Sequence, residues 1–330
     1  MINACQPAAV DILMPVYNSE RYIAESIESV IAQSLSNWRL IIVDDLSTDR
    51  TRQIILSYAE KDHRIVLLKG EHKGIAAAIN MALSKVTADL VARLDGDDIA
   101  THNRLAVQYD FMQSHRDVVV VGSNAMLIDE HGKPLKRRTS PVGWKKIQSI
   151  LKTRNCICHP ATMIRTSALR QIGGYRDKFR TSQDYDLWLR ISELGKIENI
   201  SQDLLLYRRH SSQVSNSKNA HRQTLYSVGA AIDFFLRKYR FVETETIIDE
   251  SQCDDLALKL MVLYEHTPNA EDLPSLNRHA IRLLRYAESL SPIARKKLQQ
   301  TIRPFLSPQQ QLKSWFYDSL RFFGAHKNNS

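Results

Sequence analysis

Short apolar runs alternate with stretches of helical periodicity over the first hundred positions, and that alternation predicts a layered α/β fold. Val10 to Val16 reads as a buried strand running into the turn Pro15-Val16-Tyr17-Asn18. Ser19 is placed to cap the next helix, in which Ile23, Ile27, Val30, Ile31 and Leu35 recur on one face. Arg39 to Val43 is a second strand ending at Asp44-Asp45, and Ser47 to Asp49 open a helix carrying Ile54, Ile55 and Tyr58. A strand over Ile65 to Leu68, a helix over Ile75 to Lys85 and a strand over Leu90 to Leu94 complete the series. Strands and helices in strict alternation imply a largely parallel sheet covered on both faces.

Past the fourth strand the pattern is mixed. A helix near Asn103 to Ser114 precedes the apolar strand Val118 to Val121, a hairpin around Asp129-Glu130-His131-Gly132, and a helix over Trp144 to Leu151. Thr162 to Ile164 is a short strand, Gly173-Gly174 breaks the chain before Tyr175, and Asp184 to Leu194 is amphipathic through Leu187, Trp188 and Ile191. From Asn219 onward the periodicity is helical throughout, with Ile232, Phe235, Leu236, Leu256, Leu260 and Leu263 as its apolar positions. The polar, serine-rich stretch Ser212 to Lys218 marks the boundary.

In open sheets of this kind ligands sit at the carboxyl ends of the strands. The turn after Val16, the pair Asp44-Asp45 and the cluster Asp95-Gly96-Asp97-Asp98 all fall at such ends. Carboxylates so close repel one another, and a hard divalent cation with open positions for phosphate oxygens would relieve the repulsion. An isolated Asp-x-Asp is more often an acidic turn capping a helix, but convergence of three polar ends on one crevice argues against that reading here. No Gly-x-Gly-x-x-Gly follows the first strand, so a dinucleotide-binding fold is not expected.

Composition adds bounds. The chain has 330 residues, 43% hydrophobic and 25% charged, enough for one large domain and an appendage. No apolar run is long enough to span a bilayer, and Met1 to Ala9 lacks the features of a signal peptide, so a cytoplasmic chain is expected. Cys5, Cys156, Cys158 and Cys253 form no disulfide framework, and Cys156-Ile157-Cys158-His159 has no second pair to complete a zinc site. The net charge of +9 favours an anionic partner. Arg295, Lys296, Lys297, Arg303, Lys313, Arg321 and Lys327 interleave near the end with Trp315, Phe316, Phe322 and Phe323, against the single acid Asp318. Such a segment either docks peripherally on an anionic membrane or packs its aromatics on the body of the protein; oligomer contacts are a further use for it. Nucleic acid is not expected, since no binding motif accompanies the charge.

Several ordered blocks then carry a resemblance. These are Ile12 to Asn18 with Glu28-Ser29-Val30 and Gln33; Ile42 to Asp49; Gly74 and Asn80; Asp95 to Asp98; His159-Pro160; Gly173-Gly174-Tyr175; Gln183 to Arg190; and Tyr207-Arg208-Arg209-His210. Over its first two-thirds the chain resembles the inverting glycosyltransferases of family 2, which have the GT-A nucleotide-diphospho-sugar transferase fold. Two departures are small: Leu46 stands where glycine is usual, and Gln183 replaces a common glutamate. The resemblance implies a Rossmann-like α/β domain over residues 1–215 with a mostly parallel central sheet. Its nucleotide-sugar half would span about 1–100 and its acceptor half about 101–215, followed by a helical C-terminal region over 216–330.

It also implies roles. Asp97, with Asp95 or Asp98, would hold Mn²⁺ or Mg²⁺ to neutralise the leaving diphosphate. Asp45 resembles the aspartate that accepts a hydrogen bond from the nucleotide base, fitting uracil, with Pro15 and Tyr17 as pocket wall; helix capping is its alternative. Asp44 either caps or meets ribose, and Lys73 and Arg93 either touch phosphate or sugar or are solvated surface bases. Asp184 occupies the family's general-base position, with helix capping as the plain alternative, whereas Asp186 is assigned to local structure. His210 stands where relatives often supply a histidine to the metal or diphosphate, or else is a surface loop residue; His159 lines the acceptor side or hydrogen-bonds within the cleft. The implied reaction moves a sugar with inversion from a nucleotide donor, a UDP-sugar, to a glycan or lipid-linked acceptor of a bacterial surface polysaccharide. A silent nucleotide-binding scaffold and a sugar nucleotidyltransferase are the competing readings. The former is disfavoured by the presence of both Asp184 and the acidic cluster, the latter by the absence of a glycine-rich basic loop after Pro15.

Overall fold

The computed structural model describes residues 8–211, 213, 220–241, 253–266, 270–286, 290–307 and 311. Two compact units result, Met1–Leu151 with Asn155–Gln213, and Lys152–Arg154 with Val214–Ser330.

Strand β1 (Val10–Val16) pairs in parallel with β2 (Trp38–Asp44) on one side and β4 (Leu90–Arg93) on the other, and β2 continues to β3 (Ile65–Lys69). Every residue of β1 is buried, because helices cover both faces of a parallel sheet; the strand therefore reads as a continuous apolar run without alternation. Its one charge, Asp11, is fully buried yet satisfied: it accepts both forks of Arg39 at 2.8 Å and the amides of Thr87 and Ala88. Helices α1 (Ile23–Ile31), α2 (Thr51–Ala59) and α3 (Ile75–Leu83) connect these strands. Ile23, Ile27 and Val30 of α1 enter the same core as Ile12, Met14 and Ile42.

Capping differs from expectation in one place. The Ser19 hydroxyl donates back to the Tyr17 carbonyl, and it is the Ser19 carbonyl that accepts from Tyr22 and Ile23 to start α1. Before α2 the side chain of Asp49 accepts from the Thr51 amide, as a residue of the predicted cap should.

Beyond β4 the sheet is no longer parallel. Strand β5 (Ile99–Ala100) precedes α4 (Arg104–Ser114), and a hairpin of β6 (Val118–Ile128) with β7 (Pro134–Arg138) leads to α5 (Trp144–Leu151). Then follow β8 (Met163–Arg165), α6 (Thr166–Gln171), α7 (Gln183–Ile191) and β9 (Lys196–Arg208). The order is β3-β2-β1-β4-β8-β6-β9-β5, with β8 antiparallel to both neighbours and β9 parallel to β6. The sheet is thus parallel through β1 to β4 and mixed beyond them, where β6 and β9 form a further parallel pair. Strand β9 escaped the sequence because its register against β6 shifts around Asn124, so polar Ser201, Gln202 and Asp203 interrupt the period of two. β5 is too short to leave a period at all.

The second unit is helical where described: α8 (Ala220–Lys238), α9 (Cys253–His266), α10 (Leu273–Tyr286) and α11 (Pro292–Ile302). Leu256, Leu260, Leu263, Leu276 and Leu283 build its core. Fully buried Asp272 is balanced by Lys152, Lys238 and the Tyr239 hydroxyl. No helix among the described residues is long and apolar enough to cross a membrane. The basic aromatic segment from Lys313 to Lys327, most of the boundary stretch Ser212 to Lys218, and Cys5 lie outside the described residues. Among the described residues Cys156, Cys158 and Cys253 are in no disulfide.

His279 of α10 makes stability pH-dependent. The ring is fully buried, its Nε2 is 2.9 Å from the Lys152 carbonyl, and burial lowers its pKa to about 4. Folding therefore favours the neutral ring. Its contribution is complete above the ordinary histidine pKa and is lost as pH falls from there toward 4. Denaturation at pH 7 and pH 5 should show a loss of about 2 kcal/mol from this one group, absent in His279→Gln. An equal loss in the variant would show that other groups drive it.

Candidate active site

The carboxyl end of β1 organises one half of the site. The Asp45 amide donates to the Val16 carbonyl at 2.9 Å, tying the exit of β2 to that of β1. Asp45 then accepts from the amides of His72 at 2.7 Å and Gly74 at 3.1 Å, so its carboxylate fixes the 70–74 turn and is not a cap for α2. Gly70 makes that approach feasible: a Cβ there would sit 2.6 Å from Asp45 Oδ1 and 2.7 Å from its Cα. Half-exposed Tyr17 stands with its ring 4.9 Å from that of His72, a neighbour that sequence reasoning missed. Pro15 lies inside buried β1, beneath this rim. Asp44 is buried and performs the turn work, accepting from the Ser47 amide at 3.0 Å with Arg52 at 3.5 Å. Leu46 has φ of 65°, which explains why glycine is the usual residue in the family resemblance. Lys73 is an exposed base paired with Glu71.

The acidic turn after β4 packs on the same strand end. A Cβ on Gly96 would lie 2.6 Å from Val16 Cγ1, so only glycine lets the turn settle there. Asp95, Asp97 and Asp98 each present an oxygen within 4.8 Å of the others. Arg93 is buried, not a solvated base: it donates to the Leu13 and Leu94 carbonyls and to Asp95. Burial raises the pKa of Asp95 against the opposing pull of Arg93. Asp98 is 1% exposed and is raised well above the carboxylate range, by burial first and then by the charges of Asp97 and Asp95. Its Oδ1 accepts from the Arg208 amide at 2.8 Å, while its Oδ2 is buried without a hydrogen-bond partner. An orphaned carboxylate oxygen beside two more carboxylates is costly to bury alone and fits a hard divalent cation, whose ligands are oxygens.

The end of β9 supplies the second layer of this cluster. β5 pairs with β9 through Ile99↔Leu206, which brings the Tyr207 to His210 block against the acidic turn. His210 Nε2 lies 2.8 Å from Asp97 Oδ2, so the histidine meets the acidic cluster and is not an isolated loop residue. Arg208, which carried no assignment in the sequence, is 2% exposed; it donates to the Asp97 carbonyl at 2.9 Å, pairs with Glu25 and covers the ring of Tyr22 at 4.7 Å. It fixes the backbone on which two acids stand.

Asp184 enters from α7. The helix cap is Ser182, held at φ of 59°, so Asp184 does not occupy the cap position. Its Oδ1 accepts from the Tyr185 amide at 2.8 Å and its Oδ2 from Asn155 at 2.6 Å. Burial raises its pKa, and those two hydrogen bonds, together with the charge of Arg138, oppose the shift. Asp186 is buried between Arg176 and Arg190 and is structural, as assigned. His159 is buried with Nε2 2.7 Å from the Tyr175 hydroxyl and its ring 5.7 Å from Trp188; burial, then Arg93, lowers its pKa well below the usual value, so it is neutral. Asn80, quoted in the resemblance without a role, clamps Tyr175 through both its amide and its carbonyl.

Arg138 of β7 interacts electrostatically with both Asp184 and Asp98, and Tyr175 with both Asp184 and Asp95. Asp184 and the acidic cluster therefore lie within electrostatic reach of the same two side chains.

A mixed sheet, parallel over β1 to β4, with a cluster of three aspartates after β4, is the architecture of a GT-A glycosyltransferase. The profile described as Glycosyl transferase family 2 matches residues 11–173. The chain is 39% identical over 228 residues to EpsE of Bacillus subtilis, a protein designated a glycosyltransferase, covering 68% of this chain and 79% of that one. It is 32% identical over 215 residues to the Escherichia coli UDP-Glc:alpha-D-GlcNAc-diphosphoundecaprenol beta-1,3-glucosyltransferase WfgD, covering 65% and 81%. The crystal structure of S. aureus TarS 1-349 in complex with UDP-GlcNAc superposes with a TM-score of 0.61 at 17% identity, covering 94% of this chain and 91% of that one, a likeness of fold. This chain belongs to glycosyl transferase family 2.

Proposed function

We propose that this glycosyltransferase moves a sugar, with inversion, from a UDP-sugar to a hydroxyl of a glycan or lipid-linked acceptor in the assembly of a bacterial surface polysaccharide. The observation that carries the reading is the cluster of Asp95, Asp97 and Asp98 with oxygens within 4.8 Å of one another, electrostatically linked to Asp184 through Arg138 and Tyr175. Relatives support the chemistry, since WfgD is named for a UDP-glucose donor and a diphospholipid-linked acceptor.

Each residue has a part. Asp45, Tyr17 and His72 hold the base of the donor, Asp45 accepting from its ring N–H with the lone pairs its two backbone bonds leave over. Asp95, Asp97 and Asp98, with His210 beside Asp97, hold Mn²⁺ or Mg²⁺. Bound there, the ion supplies neutralisation of charge on the departing diphosphate. Asp184 takes the proton of the acceptor hydroxyl as that oxygen bonds to the anomeric carbon; the bond to the diphosphate breaks and its electron pair leaves with UDP. Asn155 steers Asp184 and opposes the rise that burial imposes on its pKa. One base and one displacement give inversion. Residues 1–215 perform this work, and basic residues beyond them, including Arg295, Lys296, Lys297 and Arg303, bring the enzyme peripherally to the membrane face bearing its acceptor.

Incubation with a panel of nucleotide sugars, with Mn²⁺ or EDTA, tests the donor assignment. Release of UDP that requires the metal supports it; release of pyrophosphate instead, or turnover of no UDP-sugar, refutes it.

A further inference from the structure

We propose that Arg138 is a substrate-binding residue that takes phosphate oxygens in the cleft between Asp98 and Asp184. The inference rests on the transferase reading above and adds a recognition element to it. Sequence gave no hint of it, since Arg138 ends an otherwise exposed hairpin strand.

Other arginines buried in this unit spend their donors on the protein itself. Arg93 donates to two carbonyls and Asp95; Arg104 to the Arg93 and Thr162 carbonyls; Arg190 to Asp186 and to the Ile172 and Gly174 carbonyls. Arg208 is similarly committed. Arg138 differs. Among the described residues its half-buried guanidinium makes no hydrogen bond and no ion pair, and it lies 5.5 Å from the ring of Tyr207, which orients it. Its backbone pairs with Ala125 on β6, which anchors the base of the side chain.

The surroundings select the ligand. Cys158, Tyr207, Asp184 and Asp98 hold its pKa above the ordinary arginine value against the opposing effect of burial, so the charge is permanent. Asp184 and Asp98 act on Arg138 electrostatically, yet neither pairs with it. A partly desolvated guanidinium without partners favours an anion it can grip with two parallel N–H bonds, and phosphate fits that fork where a neutral sugar hydroxyl does not. Two sources supply such a group in this cleft: the diphosphate of the donor, from the Asp98 side, and a phosphate carried by the acceptor, from the Asp184 side.

Calorimetry on the full chain separates them. The variants are Arg138→Gln and Arg138→Lys, and the probes are UDP with MnCl₂, uridine, and farnesyl diphosphate as a prenyl diphosphate. A donor role predicts that Arg138→Gln weakens UDP about 10- to 100-fold, that Arg138→Lys weakens it less, and that the uridine affinity stays unchanged. An acceptor role predicts the same loss for farnesyl diphosphate with UDP unaffected. Retention of both diphosphates within about twofold in a variant of unchanged thermal stability overturns the proposal. If the native chain binds no UDP, the donor reading fails instead, and the farnesyl diphosphate arm alone judges Arg138.

Discussion

Asp184→Asn is expected to lower kcat about 10²- to 10⁴-fold while leaving UDP affinity intact, because a general base acts on the proton in flight and not on the bound donor. The amide is nearly isosteric and keeps an oxygen to accept from Tyr185, so α7 should start as before. The pH profile adds a second signature. Activity requires the ionised carboxylate, so it falls as pH drops through the Asp184 pKa, which burial places above the usual value. Removing the Asn155 donor takes away one of the groups that oppose that shift. Asn155→Ala should therefore move the acid limb of kcat/KM to higher pH, whereas a merely local packing role would lower activity equally at every pH. Full turnover in Asp184→Asn would remove the base from the account.

Asp97→Asn should fail at an earlier step. Asp97 meets His210 and stands with Asp95 and Asp98 in the cluster built for a cation. Removing one of its charges is expected to abolish the gain in UDP affinity on adding Mn²⁺ and to cut kcat/KM on the order of 10³-fold, the scale of losing a charge stabiliser of the transition state. The folded chain should be no less stable without ligand, since three crowded carboxylates become two. Equal UDP binding with Mn²⁺ and with EDTA in the native chain would contradict a cation role for the cluster. Together the two substitutions separate donor binding from proton transfer.

How far the residues alone carry the fold is visible in these same elements. β1, β2 and β4 were legible because both faces are buried and each ends in a polar turn; Val16, Asp45 and Gly96 then meet at one strand end. β9 was not legible, since its slipped register against β6 hides the period. With β9 went the role of Arg208, which depends on a pairing between residues more than a hundred positions apart. His72, Asn155 and Arg138 carry no local signal either. His72 meets Asp45 and Asn155 meets Asp184, partners remote in sequence, and Arg138 lies over Tyr207 of a distant strand. Arg93 shows the reverse error, for nothing local distinguishes a buried arginine clasping Asp95 from a solvated one.

A crystal of the chain grown with UDP and Mn²⁺ and measured at the manganese edge tests the central claim most directly. Anomalous density among Asp95, Asp97 and Asp98, with uracil beside Asp45 and the diphosphate in the cleft that Asp184 borders, is the predicted result. Manganese at any other group, or a nucleotide whose diphosphate lies away from Asp184, would contradict it.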